Sequence, residues 1–381
     1  MSTLKLENIQ HPESSTPAIS LDSNGGMTGS FPYPNRNLII NGDMRIAQRG
    51  NQSGMAENSY AVDRFRTRTY GGNGRFSSTT LSTDVPSGTN FVYSTKWEVE
   101  TAATDVGAYG YSIEQLVEGY NSIHVGWGTS SSKKLTLSFW VKVSESGTYV
   151  TGLRTADAIY SDHREITLTA NTWTKVEESF EPITQDLSAA SSTRLTNGIG
   201  IVVDVIGLAA QTSKTSNTTG QWISGNYVWT SNQTNWMATV GNTVYITGVQ
   251  LEIGEVVTEF EFKSYGQELA ECQRYFQKHG GNVTNERLGP VFILSGTGGY
   301  AIITNKRTMR ANPVSSFSGS IAVAQPGVVG ATVSAISDST MGPDVAEVGL
   351  TFASTAAFTQ GEIGWLTASS TSSWVNLSAE L

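Results

Sequence analysis

The chain is 381 residues long, enough for two or three domains, and carries a net charge of −9 at neutral pH. That balance excludes general affinity for nucleic acid or an anionic membrane surface, and no stretch approaches the roughly 18–20 continuous apolar residues of a membrane-spanning helix. There is a single cysteine, Cys272, so an intrachain disulfide is excluded as a means of stabilisation.

The composition, with 39 glycines and only 15% charged residues, favours short strands and turns over helices. Residues 1–34 differ from the rest. Leu4, Leu6 and Ile9 fit one short strand and Ala18 to Leu21 a second, with the turn-rich His11 to Pro17 between them. Asp22-Ser23-Asn24-Gly25-Gly26 ends the second strand, and Phe31-Pro32-Tyr33-Pro34 is a stiff connector. The segment is too short to bury a core, so it reads as an arm that docks on something else. No apolar run follows Met1 to Lys5, so no secretory signal is read there and synthesis is expected in a cytosol.

Residues 35–263 read as one large β domain. Leu135, Leu137, Phe139, Val141 and Val143 form the clearest one-sided alternation in the chain. Further strands are expected at 166–168, 173–180, 199–206 and 244–253, and at 60–70, where Phe65, Thr67 and Thr69 alternate with Arg64, Arg66 and Arg68. After Gly254, alternation at Val256, Thr258, Phe260 and Phe262 predicts one more strand. Many short alternating strands imply an all-β fold, an antiparallel sandwich of jelly-roll type.

Residues 264–281 then change period. Tyr265, Leu269, Cys272 and Phe276 fall on one helical stripe, Ser264 with Gln267 is a capping-box pattern, and Gly280-Gly281 supplies the stop. This helical linker leads to residues 282–381, a second, smaller β domain with strand candidates at 291–294, 300–304, 320–323, 331–336, 345–353 and 362–366. Fewer than a hundred sparsely charged residues imply that it leans on the first domain or on another subunit.

Two stretches carry a resemblance. "NRNLIINGDMRIAQRG" (Asn35 to Gly50) with "YAVDRF" (Tyr60 to Phe65), and "ITGVQLEIGEVVTEFEFKSYGQELAECQRYFQK" (Ile246 to Lys278), are together similar to tail-fibre-like proteins of tailed bacteriophages of marine and cyanobacterial hosts. Met309 to Pro313 resembles a strand-entry motif of the same family. The resemblance implies a jelly-roll sandwich similar to carbohydrate-binding modules, placed on a virion tail. It implies a homotrimer, contact with other tail proteins through residues 1–34, and no catalytic residues.

Two groups of side chains are candidate binding residues. Trp222, Tyr227, Trp229 and Trp236 lie in the Ser/Thr/Asn/Gly-rich stretch 211–242. A flat ring covers the apolar face of a sugar while amides and hydroxyls bond its rim, so this stretch fits a host surface polysaccharide; the same rings also suit the closed end of a sandwich core. Arg64, Arg66 and Arg68 line one strand face, suited to an anionic partner or to carboxylates on neighbouring strands.

Catalytic and metal-binding patterns are poor. The cluster Asp162-His163-Arg164-Glu165 reads as a solvated turn, and Glu177, Glu178 and Glu181, which could in principle include a glycosidase acid pair, are expected on an exposed strand. No zinc or EF-hand spacing is present, no cofactor is expected, and a structural Ca²⁺, frequent in jelly rolls, has no residues assigned to it. The expected function is attachment to host glycan without catalysis. The alternatives are a tail adaptor or capsid-decoration protein without a receptor, and a polysaccharide depolymerase.

Overall fold

The alternation at 135–143 forms the strand Leu135–Val143, on which Leu135, Leu137, Phe139, Val141 and Val143 are each at most 1% exposed. The computed structural model describes residues 8–9, 19–21, 27–29, 35–188, 192–325, 328–354, 356 and 358–381. They fall into two units, 1–36 and 37–381. In the first, Asn8–Ile9, Ile19–Leu21 and Met27–Gly29 form a three-stranded antiparallel sheet. Leu4, Leu6, the turn at 11–17, residues 22–26 and the connector Phe31 to Pro34 lie outside the described residues.

The second unit begins with an antiparallel sandwich. One sheet has six strands in the order Thr174–Phe180, Leu135–Val143, Thr243–Ile253, Ser94–Thr101, Arg75–Ser82 and Gln52–Met55. The other has seven, in the order Ile223–Ser224, Tyr160–Leu168, Gly147–Thr155, Ile199–Ala209, Tyr111–Glu118, Phe65–Arg68 and Ser59–Tyr60. Trp97, Phe139 and Ile246 from the six-stranded sheet pack against Phe65, Ile113, Leu153 and Val203 from the seven-stranded one. The fold is thus all-β, as the composition and alternation imply. One expected strand is absent: residues 255–263 run as irregular chain over the outer face of the six-stranded sheet. Buried Gln250 and Glu252 on the strand beneath hold it there. The Thr258 N–H and hydroxyl donate to Glu252 at 2.9 and 2.7 Å, and the Glu261 N–H donates to Gln250 at 2.9 Å. These bonds answer the Thr258 and Glu261 N–H groups without a ladder.

The helix is real but shorter than its pattern. Ser264 caps it, accepting from the Gln267 N–H at 3.3 Å, and it runs Tyr265–Gln273. Its inward side is Cys272 and Glu268, with Leu269 partly buried, whereas Tyr265 is 60% exposed. Phe276, expected on the helical stripe, instead opens the strand Phe276–Gly280. That strand pairs with Trp374–Ser378, which also pairs with Val314–Ser318, so tertiary pairing overrides the local pattern. The remaining six strands, Glu286–Ser295, Gly298–Thr304, Val345–Phe352, Val328–Met341, Ile321–Gln325 and Ile363–Ala368, close in that order into a barrel around Val291, Ile303, Val323, Val348 and Leu366.

The barrel side and the sandwich are bolted together by charge. Arg64 is 1% exposed. Its guanidinium pairs with Glu380, donates to the Leu116 carbonyl at 2.6 Å, and lies 3.6 Å from the centre of the Tyr275 ring. Arg49 bridges Asp63 and Glu380 at 3.1 and 3.0 Å and covers the Phe276 ring at 3.5 Å. Glu118 accepts from Arg274 at 2.6 Å and from the Tyr275 hydroxyl at 2.6 Å. Arg310 donates to the Asn197 and Ala379 carbonyls at 2.6 and 2.8 Å.

Removing one member of such a buried pair leaves the other unpaired, at a cost of about 3–5 kcal/mol. Arg64→Ala is therefore expected to lower the unfolding free energy by about that amount in urea denaturation, and Arg64→Leu with Glu380→Leu to recover most of it. A loss below about 1 kcal/mol for Arg64→Ala would contradict the clamp.

Glu268 gives a pH signature. Burial pushes its carboxyl up to about 7, although Lys263 pulls the other way. The folded chain then keeps a proton that the unfolded chain releases from about pH 4.5 upward, so this contribution favours the fold in acid and is lost as pH rises through about 7. Asp63, held up to about 6 by burial, has the same sign; His279, pushed down to about 4 by burial, has the opposite one. Glu268→Gln keeps an acceptor for the Asn41 N–H. It is expected to match the natural protein at pH 4 and exceed its stability by about 1–3 kcal/mol at pH 8, read by denaturation across pH.

Candidate functional site

The predicted binding residues do not come together. Trp229 and Trp236 are fully buried. Trp236 is part of the sandwich core, stacked on Phe76 with ring centres 6.2 Å apart. Trp229 lies on the outer face of the seven-stranded sheet, in a gap that only glycines leave. A Cβ at Gly110 would come within 2.2 Å of its ring, and one at Gly207 within 2.7 Å. Trp222 is half-buried; its indole N–H donates to the Glu181 carbonyl at 2.7 Å, and its ring meets Trp127 edge-on at 5.0 Å. Tyr227 is half-buried, with its backbone N–H on the Ser161 hydroxyl at 2.9 Å. These rings close the sandwich and cover one of its sheets, the core role that large rings also suit.

The strand expected over 60–70 is broken by a turn at 61–64, so Arg64 lies in that turn and only Arg66 and Arg68 alternate on the strand Phe65–Arg68; all three are taken up by partners within the chain. Arg64 belongs to the clamp. Arg66 pairs with Glu114 at 2.6 Å and donates to the Leu381 carbonyl at 2.9 Å, and Arg68 pairs with Glu57 at 2.5 Å. Glu114 also accepts from Arg154 at 2.8 Å, and Arg154 holds Asp204 through two nitrogens at 2.6 and 2.7 Å. Glu114 and Asp204 are register partners, but they are 1% and 2% exposed and share one guanidinium. Arg66, with Arg154 and Arg68 behind it, holds the Glu114 carboxyl down despite its burial, while burial raises Asp204. The cationic strip is thus neutralised from within rather than offered to a partner.

The open surface lies on the opposite side of the sandwich. Outward-facing Ser138 and Trp140 on Leu135–Val143, with Lys175 on the neighbouring strand, floor a pocket of about 270 Å³. One wall is residues 88–91; the other is Thr258, Glu259, Phe260 and Phe262 of the segment held down by Gln250 and Glu252. At the end of the pocket Phe91, Phe260 and Phe262 form a cluster with centres 4.8–5.4 Å apart, in which Phe260 meets the other two edge-on. Phe91 seats over Gly248, whose φ of +64° and lack of a Cβ make room for the ring 2.5 Å from where that Cβ would be.

Beyond Phe262 and Asn90 a second hollow of about 250 Å³ continues over Val92, Tyr93, Asp43 and Arg45. Burial raises the Asp43 carboxyl, with Arg45 opposing the rise. On the other side of Trp140, Lys142 lies over the Tyr245 ring at 4.4 Å and pairs with Asp84, which also accepts the Trp173 indole N–H at 3.1 Å. The face therefore offers a half-exposed indole floor, an aromatic end wall and a rim of Asn90, Thr89, Ser138, Thr258, Lys175 and Glu259. Such a lining suits a neutral or weakly charged polyhydroxylated ligand. Among the described residues no group of three or more His, Cys, Asp or Glu is arranged to hold a metal ion.

The signal for this site was in the clearest strand of the chain. Once Phe139 and Val141 point inward, Trp140 must point outward, and a tryptophan on the solvent side of an alternating strand marks a surface with work to do.

Neither a family model nor a curated protein matches the chain. Solved structures do. The enzymatically active domain of tailspike protein 4 of bacteriophage CBA120 aligns over 58% of this chain at 12% identity and a TM-score of 0.31, and the chain spans 22% of that structure's length. The family 11 carbohydrate-binding module of the Clostridium thermocellum cellulase Lic26A-Cel5E aligns over 55% of this chain and 98% of its own, at 12% identity and a TM-score of 0.25. A family 61 module in complex with β-1,4-galactotriose aligns over 57% and 99%, at 9% identity and 0.28. At these values no residue role follows from any of them.

Proposed function

We propose that this protein is a structural component of a tailed-phage virion, a tail fibre or receptor-binding part that attaches to host surface glycan through the Trp140 pocket. The observation that carries the reading is the pocket itself: an indole floor with a polar rim, walled by one segment that Gln250 and Glu252 of the sheet hold down and another that Phe91 seats over Gly248. The phage setting is supported by the motifs at 35–65 and 246–278. In the same reading the protein is made in the host cytoplasm, joins the tail as a homotrimer, and meets other tail proteins through residues 1–34. Copies on one particle would add weak contacts through high effective concentration, so each pocket need bind only modestly.

A non-catalytic role is favoured by the state of the acids. Glu114 and Asp204 are sealed and neutralised by arginines, whereas a glycosidase needs one carboxyl free to give a proton and another free to attack or to activate water.

On an array of bacterial surface glycans, the intact protein is expected to bind a defined subset. Trp140→Ala should weaken that binding at least about tenfold, equivalent to about 1.4 kcal/mol, while Trp222→Phe, far from the pocket, leaves it unchanged. Bound glycan should show no new reducing ends. Binding unaffected by Trp140→Ala would refute the site, and release of reducing ends would refute the non-catalytic reading.

A further inference from the structure

The Trp140 pocket does not stop at its aromatic end. Asn90 and Phe262 line it and also line the second hollow, of about 250 Å³. Phe262 is 47% exposed, so an open ring divides the two rather than a closed partition. The register gives the direction of the line. Lys175 lies opposite Trp140, Trp140 lies opposite Thr247, and the Thr247 hydroxyl donates to the Tyr93 carbonyl at 2.7 Å. The line from Lys175 to Tyr93 thus crosses the strands and covers about 14 Å, three strand spacings, longer than one sugar ring can fill.

The far hollow holds an unanswered acceptor. Asp43 lines it and is 6% exposed, yet its Oδ1 has no hydrogen-bond partner. A buried oxygen left in that state costs free energy that a donor from a ligand recovers. Arg45 pairs with the other carboxylate oxygen at 2.5 Å and has no other acid partner among the described residues. The Val249 N–H fixes their position by donating to the Gly42 carbonyl at 2.9 Å. Gly42 lies so close to the strand that a Cβ there would meet the Val249 carbonyl oxygen at 2.1 Å.

We propose that the second hollow is a further sugar subsite, in which Asp43 and Arg45 take neighbouring hydroxyls of one ring, so that this face binds several consecutive sugars of a linear, uncharged polysaccharide laid across the strands. The chemistry selects that class. Asp43 Oδ1 supplies only an acceptor and the Arg45 guanidinium only donors, whereas a hydroxyl both donates and accepts, so two adjacent hydroxyls answer both groups at once. The acid and the base already neutralise each other, and an ionic ligand would leave one of them unpaired in a half-closed site. Trp140 and Phe262 offer exposed ring surface to the sugars between. The inference rests on the Trp140 reading above and adds the length and charge of the ligand.

The test takes the polysaccharide that the intact protein retains on the glycan array, cuts it by partial acid hydrolysis, and titrates the full chain with the dimer, tetramer and hexamer fractions by calorimetry. Affinity is expected to rise at least about tenfold from dimer to tetramer. Asp43→Asn, which keeps the size of the side chain but not its charge, should weaken tetramer binding about fivefold or more and leave the dimer unchanged. Val92→Arg, at a position 63% exposed and so away from the core, should do the same by filling the hollow. Trp140→Ala should weaken every length. Equal affinity for dimer and tetramer, or tetramer binding left intact by both Asp43→Asn and Val92→Arg, overturns the second subsite while the Trp140 reading stands. A retained polysaccharide built of acidic sugars overturns the uncharged class. Binding that survives Trp140→Ala at every length refutes the Trp140 reading and this inference with it, as does an array on which no polysaccharide is retained.

Discussion

A guanidinium taken out of water is costly unless it is answered, and both terminal nitrogens and one face of Arg64 are answered, its buried Nε alone being left without a hydrogen-bond partner. Arg64 has a carboxylate, a backbone carbonyl and an aromatic face, contributed respectively by Glu380, Leu116 and Tyr275. Those partners come from parts of the chain up to 316 residues apart. The pairing therefore works as a registration device more than as a source of stability, because a buried ion pair barely repays its own desolvation. It lets the barrel and sandwich sit in one arrangement, with Arg49, Arg274 and Arg310 repeating the device around it. The short helix between them, read alone, looks like a hinge; its surroundings make it a joint without play.

This clamp also decides which surface remains for an external partner. The seven-stranded sheet spends its outer face on the chain itself: residues around Trp229 cover one end, and Tyr275, Arg310, Glu380 and Leu381 cover the other. Arg154, Arg66 and Arg68 are closed over Glu114 and Asp204 between them. The six-stranded sheet keeps its middle open, and the two segments that cross it are fastened at their bases by Gln250, Glu252 and the Phe91–Gly248 contact. A groove built from irregular chain on a rigid floor is the usual compromise between a variable specificity and a fixed geometry.

The strands at 135–143 and 243–253 were legible in the sequence because their apolar period is visible, whereas Arg75–Ser82 and Ser94–Thr101, which alternate in burial with Ser, Thr and Lys between their few apolar residues, were not. Tyr111–Glu118 was not either, because all eight of its residues are buried and Ser112, Glu114 and Glu118 hide under the clamp and the arginine network. A strand buried on both sides by charged partners looks like a loop when only hydrophobicity is read. The same effect hid the arginines: Arg66 and Arg68 sat on the expected strand face, with Arg64 in the turn before it, but the acid partners of Arg64 and Arg66 lie 316 and 48 residues downstream. The Trp-rich stretch misled for a complementary reason. Polar composition around a ring does not say whether glycines such as Gly110 and Gly207 have made a socket for it. The segment 255–263 alternates in sequence but not in burial, with Val256 and Phe262 both exposed; two of its backbone N–H groups bond to side chains instead of a neighbouring backbone.

The account stands on the division of labour between the two outer faces, one consumed in holding the molecule together and one left to meet a ligand. Hydroxyl-radical footprinting of the full chain, with and without a saturating bound glycan, reads both faces in one experiment. Protection at Trp140, residues 88–93 and residues 258–262, with residues 211–235 unchanged, is the predicted result. Protection confined to 211–235, or to the barrel, with Trp140 still oxidised at its free rate, would contradict it.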